Sequence, residues 1–370
     1  MNTPPRLIAF YLPQYHPIPE NDEWWEKGFT EWTNVAKAKP LFKGHYQPHI
    51  PADLGFYDLR VPETRQAQAE MAKEYGIHGF CYYHYWFDGK QLLERPFQEV
   101  LTSGEPEFPF CLCWANQTWS GIWHGAPDRI LMEQTYPGEE DHNRHFQALL
   151  PAFKDERYIK VDGKPLLAIS KPSDLPNTSD TIELWQKLAV DNGLKGLFIV
   201  GLINDYSKPI PYEGVGYDGF TLIKMTWERR EGKNRFWRYL MKIFGREKFI
   251  KTFQKTFSQP YNFYDFQKMS GEMVIGDLPF EYYPCIIPNW DNSPRSGIEG
   301  FIGINSTPDI YKKQLMKAVE RIKYYPEDHN LIFIKSWNEW AEGNYLEPDQ
   351  KFGRGYLQAT RDGLLEHLEV

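Results

Sequence analysis

The 370-residue chain has little cysteine: only Cys81, Cys111, Cys113 and Cys285, each within an apolar, strand-like run. Cys111 and Cys113 are separated by a single residue, which fits no zinc or redox spacing, so buried reduced thiols are expected rather than a disulfide framework. No apolar run approaches the ~18 residues that span a bilayer. The opening Met1-Asn2-Thr3-Pro4-Pro5-Arg6 leads straight into the apolar segment Leu7 to Leu12 without an h-region or a small-residue cleavage site. A cytoplasmic location is therefore expected. There is no His-Glu-x-x-His, no Asp-x-Asp to hold a metal-bound diphosphate, and no glycine-rich phosphate loop after a strand, so neither a metal nor a cofactor is expected. Positive charge is also short, at 42 Lys+Arg against 50 Asp+Glu for a net charge of −8, which argues against a nucleic-acid partner. Aromatic residues, by contrast, are abundant, with 13 Trp, 23 Tyr and 24 Phe. Many must fill core, but flat rings with polar tips are also the platforms on which sugar rings stack.

Short apolar runs alternate with longer amphipathic segments, which is the pattern of repeated βα units. Eight runs read as strands: Leu7–Leu12, Gly79–Tyr85, Phe110–Ala115, Leu166–Ser170, Leu197–Leu202, Gly219–Ile223, Tyr283–Pro288 and Leu331–Trp337. Several are nearly continuous hydrophobic runs, as strands covered on both faces should be. Helices are expected at 63–74, 92–101, 142–153, 181–191, 309–324 and 355–368. The fold class is thus α/β, a single (β/α)₈ barrel over residues 1–370. Two segments exceed a minimal barrel. Residues 13–60 read as a long ordered loop after the first strand, and residues 227–260 as a basic helical insertion between strands six and seven.

In such a barrel the active site lies at the carboxyl ends of the strands. Five of those ends carry aromatics beside hydrogen-bonding groups: Tyr15 and His16; His84, Tyr85 and Trp86; Trp114, Asn116 and Trp119; Asn289, Trp290 and Asp291; and Trp337, Asn338 and Trp340. These are the candidate substrate-binding residues of a sugar cleft. His16 and His84 are equally well explained as structural histidines, and Asp291 as a residue that orders its loop. Glu31, in the first loop, has no assigned role.

The sharpest constellation is Asn338-Glu339-Trp340-Ala341-Glu342-Gly343. Glycosyl transfer needs one carboxyl to protonate the leaving oxygen and a second group to handle the nucleophile. Glu339 and Glu342 are the catalytic candidates, with Trp337 and Trp340 expected as walls. Mutual repulsion and apolar surroundings would raise the pKa of one of the two. The alternative is that Glu339 caps a following helix and Glu342 is a solvated loop charge.

Several motifs carry a family resemblance over nearly the whole chain. Ala9-Phe10-Tyr11-Leu12-Pro13-Gln14-Tyr15-His16, Gly28-Phe29-Thr30-Glu31-Trp32, Gly79-Phe80-Cys81-Tyr82-Tyr83-His84-Tyr85-Trp86 and Trp114-Ala115-Asn116 resemble the WbsX-type glycosyltransferases of polysaccharide gene clusters. That family is itself similar to family 99 glycoside hydrolases, retaining endo-α-mannan enzymes on a (β/α)₈ barrel. Their signature Asn-Glu-Trp-x-Glu-Gly, followed by Glu-Pro, matches Asn338 to Gly343 and then Glu347-Pro348. The resemblance implies that Glu339 deprotonates the substrate 2-hydroxyl, whose oxygen attacks the anomeric carbon to form a 1,2-anhydro sugar. Glu342 would then be the general acid.

Three functions are weighed. The first is a glycoside hydrolase or transglycosylase acting on a bacterial surface polysaccharide or its precursor. The second is a glycosyltransferase of polysaccharide biosynthesis, against which the missing nucleotide-binding motif counts. The third is a non-catalytic glycan-binding barrel. Within the basic insertion, apolar residues between 235 and 257 recur at helical spacings with Lys and Arg between them. That pattern fits either packing on the barrel or peripheral contact with an anionic inner-membrane surface.

Overall fold

The computed structural model describes residues 4–121, 126–203, 215–223 and 280–368, with shorter stretches between 239 and 278. Eight parallel strands close into a barrel: β1 (Arg6–Tyr11), β2 (Ile77–Phe87), β3 (Phe110–Trp114), β4 (Lys164–Ile169), β5 (Phe198–Ile203), β6 (Gly219–Leu222), β7 (Tyr282–Ile286) and β8 (Leu331–Ile334). Each strand pairs with its sequence neighbour, and β1 closes the ring by pairing with both β2 and β8. Ala9 lies opposite Phe80 on one side and Ile334 on the other. The runs that read as strands in the sequence are therefore the barrel staves, displaced by a residue or two at their ends except the eighth, which stops three residues short of Trp337.

Helices follow most of the staves whose connections are described. Pro62–Glu74, Arg95–Ser103, Glu139–Lys154, Thr178–Asp191, Pro308–Ile322 and Gly355–Leu368 pack outside the staves. Several start where the sequence places proline in the first turn, where its missing N–H costs nothing. Burial on both faces explains the continuous hydrophobicity of the strands: all four residues of β8 are fully buried. The four cysteines are free and buried.

The long first loop is ordered, as expected, and contains two short helices, Pro19–Trp24 and Glu31–Lys37. The Trp32 indole donates to the carbonyl of Tyr57 at 2.7 Å, and Tyr57 in turn donates to Glu347 at 2.8 Å beyond β8. The loop thus closes over the carboxyl end of the barrel beside the strand-eight motif. A further pairing has no counterpart in the minimal barrel. Phe263–Asp265 and Ile302–Ile304 form a two-stranded parallel sheet outside the barrel.

The expected insertion at 227–260 lies largely outside the described residues. Of its apolar stripe, Tyr239, Ile243 and Phe244 are exposed, whereas Phe249 is buried. Among the described residues, no helix is long and apolar enough to cross a membrane.

Candidate active site

Strand β8 does not continue to Trp337. The chain leaves the ladder after Ile334 and folds into a tight hairpin, Asn338–Glu339 against Asn344–Tyr345, with a 3₁₀ turn over Trp340–Glu342 at its tip. Short side-chain bonds hold this shape. The Asn338 amide donates to the carbonyl of Leu12 at 3.0 Å and its oxygen accepts from the Leu12 N–H at 2.7 Å, clamping the hairpin to the end of β1. Ser336 Oγ accepts from the Glu339 N–H at 3.0 Å and donates to the Asn344 carbonyl at 2.8 Å. Gly343 takes the left-handed conformation, φ +56°, that ends the turn. Glu339 makes no capping bond, and both carboxylates are buried, so neither is a helix cap or a solvated loop charge.

Charges from three further elements meet this pair. Lys335, in the bend after β8, places its Nζ 3.1 Å from Glu339 Oε1 and 3.9 Å from Glu342 Oε2. Arg295, in the loop after β7, places Nη1 2.7 Å from Glu342 Oε1 and Nη2 3.8 Å from Glu339 Oε2. Its other side is held by Glu31 of the first loop, 3.0 Å away. Burial pushes both carboxyls up, but the outcomes differ. At Glu339 the nearby Lys335 and Arg295 overcome burial and hold it below the ordinary glutamate range. At Glu342 burial and the adjacent Glu339 charge prevail over the same two cations and push it up to about 7. A pair of carboxyls separated in this way has one anion available as a base and one acid still protonated near neutrality.

The pair opens into a cavity of about 610 Å³, a size usual for small-molecule sites. Tyr83 and Tyr85 line it from β2, Trp290 and Arg295 from the β7 side, Trp25, Phe29 and Glu31 from the first loop, and Gln117 and Trp119 from the loop after β3. Lys171, Leu202 and Ile223 line it at the ends of β4, β5 and β6. Of the sequence candidates, Glu339, Glu342, Tyr85, Trp119 and Trp290 thus stand in its wall.

The others lie behind it, for identifiable reasons. Side chains alternate along β2, so with Tyr83 and Tyr85 turned inward, His84 and Trp86 face the helix Glu139–Lys154. There His84 meets His145 at 2.9 Å, and the Trp86 indole donates to Asp141. Trp114 packs on His145 and Trp185. Asn116 ties the ends of β3 and β4 through the backbone of Lys171. His16 bonds the Pro13 carbonyl, and the Tyr15 hydroxyl accepts from the Trp340 N–H at 3.1 Å. Asn289 accepts from the Tyr345 N–H, and Asp291 is held by His45, Gln47 and the Ser293 N–H. Trp337 and Trp340, expected as walls, are turned into the core. Trp337 lies against Phe80, while Trp340 stacks on Tyr345 at 3.8 Å and donates to Glu347 at 2.6 Å.

Lys335 and Arg295 were missed in the sequence. Lys335 had a signal, a lone cation in an otherwise apolar strand run; Arg295, in an ordinary polar loop, had none.

The comparisons agree with this architecture. Residues 7–360 match the family model described as Glycosyltransferase WbsX. Two curated relatives from strains of Xanthomonas campestris pv. campestris, each described as an uncharacterized protein WxcX, are 37% identical over 370 residues. The match takes in 99% of this chain and 50% of theirs, so the chain spans about half the length of the curated relatives it matches. Among solved structures, a GH99 endo-alpha-mannosidase from Bacteroides thetaiotaomicron superposes with a TM-score of 0.56 at 14% identity, over 98% of both chains. A protein described as glycoside hydrolase-like gives 0.57 at 15% identity, over 98% of this chain and 94% of its own. At such identities the likeness shows a shared (β/α)₈ fold.

Proposed function

The chain belongs to the WbsX glycosyltransferase family, and from that membership together with the buried carboxylate pair we propose a retaining, glycoside hydrolase-like enzyme acting on a bacterial surface polysaccharide or its precursor. The observation that carries this reading is the split between the two carboxyls. Glu339 is held as an anion by Lys335 and Arg295, and Glu342 is pushed up to about 7 in the same cavity.

The roles follow from that split and from the resemblance to family 99 glycosidases. Glu339 takes the proton from the 2-hydroxyl of the bound sugar. The freed oxygen attacks the anomeric carbon as the glycosidic bond breaks, and Glu342 gives its proton to the leaving oxygen. In the second step Glu342, now a carboxylate, removes a proton from water or a sugar hydroxyl, which opens the 1,2-anhydro ring. The 2-oxygen recovers its proton from Glu339, and the configuration is retained after two inversions. Trp25, Trp119, Tyr85 and Trp290 offer ring faces for stacking sugar units along the cavity.

The family description favours a second reading, transfer from an activated donor. Charge balance weighs against a diphosphate leaving group. Arg295 and Lys335 are already engaged by Glu31, Glu339 and Glu342, so a diphosphate would meet the carboxylates of Glu31 and Glu339 with no cation left over to balance it. A neutral sugar leaving group, protonated by Glu342, meets no such repulsion. The test is to incubate the protein with bacterial surface oligosaccharides, with and without nucleotide sugars, and follow the new anomeric signals by proton NMR. Products of retained configuration without any nucleotide sugar are expected. Reaction only when a nucleotide sugar is present would establish the transferase instead.

A further inference from the structure

Lys335 occupies a position that ought to be apolar. It follows Ile334 in the β8 run, its backbone N–H still bonds the Ile286 carbonyl at 2.9 Å, and the residue is 9% exposed. Burying an ammonium costs several kcal/mol unless well-placed partners compensate. Here they do. Nζ lies 3.1 Å from Glu339 Oε1 and 3.2 Å from the Tyr83 hydroxyl, and it stands over the rings of Tyr83 and Trp290 at 5.6 and 5.5 Å from their centres. A carboxylate with no such neighbour could swing about its side-chain torsions; this one is held from beneath.

Resting on the carboxylate-pair reading above, we propose that Lys335 is the positioning residue of the base, fixing Glu339 as an oriented carboxylate and leaving Glu342 as the member that carries the proton. The two cations divide the work. Lys335 bonds Glu339, while Arg295 bonds Glu342 Oε1 but shares its charge with Glu31. Glu342 Oε2 is buried beside the Glu339 carboxyl and stands 3.9 Å from Nζ, too far for a hydrogen bond from the lysine, so this oxygen can hold the proton. Among the described residues, the remaining groups that face the pair are Tyr83 and Tyr85 of β2, and Cys285 of β7 lies beside Lys335. Burial holds all three neutral at working pH, so they add no charge that could replace the lysine.

The experiment uses the whole chain with ¹³C at the glutamate side-chain carboxyls, the two signals being assigned with E339Q and E342Q. Wild type, K335M and K335R are titrated by NMR, with near-UV circular dichroism as the check on folding. In K335M the Glu339 midpoint should rise by at least one pH unit, and K335R should bring it back to within about half a unit of wild type. A Glu339 midpoint unmoved in folded K335M, or displaced equally in K335R, would overturn the proposal. Should K335M fail to fold, K335R alone decides: a wild-type Glu339 midpoint supports the role and a displaced one refutes it. The catalytic reading is judged separately, on E339Q and E342Q with Lys335 intact. Loss of activity there, with an unmoved midpoint in K335M, would sink the lysine's role only.

Discussion

Arg295 reaches Glu342 at 2.7 Å with one guanidinium nitrogen while the far side of the same group is held by Glu31 at 3.0 Å. A residue of the β7 loop thus braces the strand-eight hairpin against the first loop, and its charge is divided between two carboxylates.

Replacing Glu31 by Gln leaves that charge to the Glu339–Glu342 pair. A stronger cation beside Glu342 favours its ionised form, so its midpoint should fall from about 7. The alkaline limb of the kcat/KM profile should move to lower pH by roughly half a unit to one unit. A pH series on wild type and Glu31→Gln measures this, and an alkaline limb that stays or rises would contradict it.

The pair also sets the wild-type profile. The proposed mechanism needs Glu339 ionised and Glu342 protonated, and activity should follow that requirement. It should therefore have an acid limb displaced below the ordinary glutamate value, be about half lost near pH 7, and fall about tenfold per unit well above that. Glu342→Gln should remove this alkaline limb and lower rates by ~10²–10⁴ on unactivated glycosides. The loss should be smaller on aryl glycosides with good leaving groups, which need less protonation. Glu339→Gln should damage both substrate classes alike.

Gly343 is a separate, purely steric prediction. Its φ is +56°, and a Cβ there would meet the Asp291 backbone oxygen and nitrogen at 2.8 and 2.9 Å. The Asp291 N–H also donates to the Glu342 carbonyl at 2.8 Å, so the two loops cannot separate without releasing the acid. Gly343→Ala should cost ~1–3 kcal/mol of stability and depress kcat more than it raises KM. Thermal melts and steady-state kinetics together test it; an unaltered melting temperature with wild-type kcat would show that the loop yields freely.

The barrel was legible in the sequence because its staves are buried on both faces and read as uninterrupted apolar runs. What composition could not convey was where a stave stops. Lys335 to Trp337 continue the strand pattern, and Lys335 and Trp337 still donate backbone bonds to Ile286 and Phe10, but the regular strand ends at Ile334 and the chain turns into the hairpin that Asn338 clamps to the end of β1. That bend turns Trp337 and Trp340 into the core. Position after a strand likewise said that residues 84–86 stand at the barrel's mouth, but not which of them face inward. The alternation that aims Tyr83 and Tyr85 at the cavity sends His84 and Trp86 to the helix behind. Arg295 arrives from a loop whose path depends on tertiary contacts around Asp291, and no local pattern announces it.

At the opposite end of the barrel, His329 bridges Asp162 at 2.9 Å and Glu281 at 2.7 Å. Burial opposes the charged imidazole, but the two carboxylates prevail and raise its pKa above the ordinary histidine value. A group raised on folding contributes stability that is fully present below its unfolded value, ~6.5, and is lost as pH rises through the folded value. The gap in melting temperature between wild type and His329→Gln should therefore be wider at pH 5.5 than at pH 9. A gap independent of pH would mean that the histidine acts by packing alone.

The most direct measurement sets binding beside cleavage on one panel of bacterial surface oligosaccharides, for wild type, Glu339→Gln and Glu342→Gln. Binding is read by calorimetry and cleavage by release of reducing ends. The expected result is that all three proteins bind the same glycan with Kd values within about tenfold, while only the wild type cleaves it at an appreciable rate. Wild-type protein that binds the glycan and leaves it intact, or variants that cleave it as fast as wild type, would contradict a catalytic role for Glu339 and Glu342.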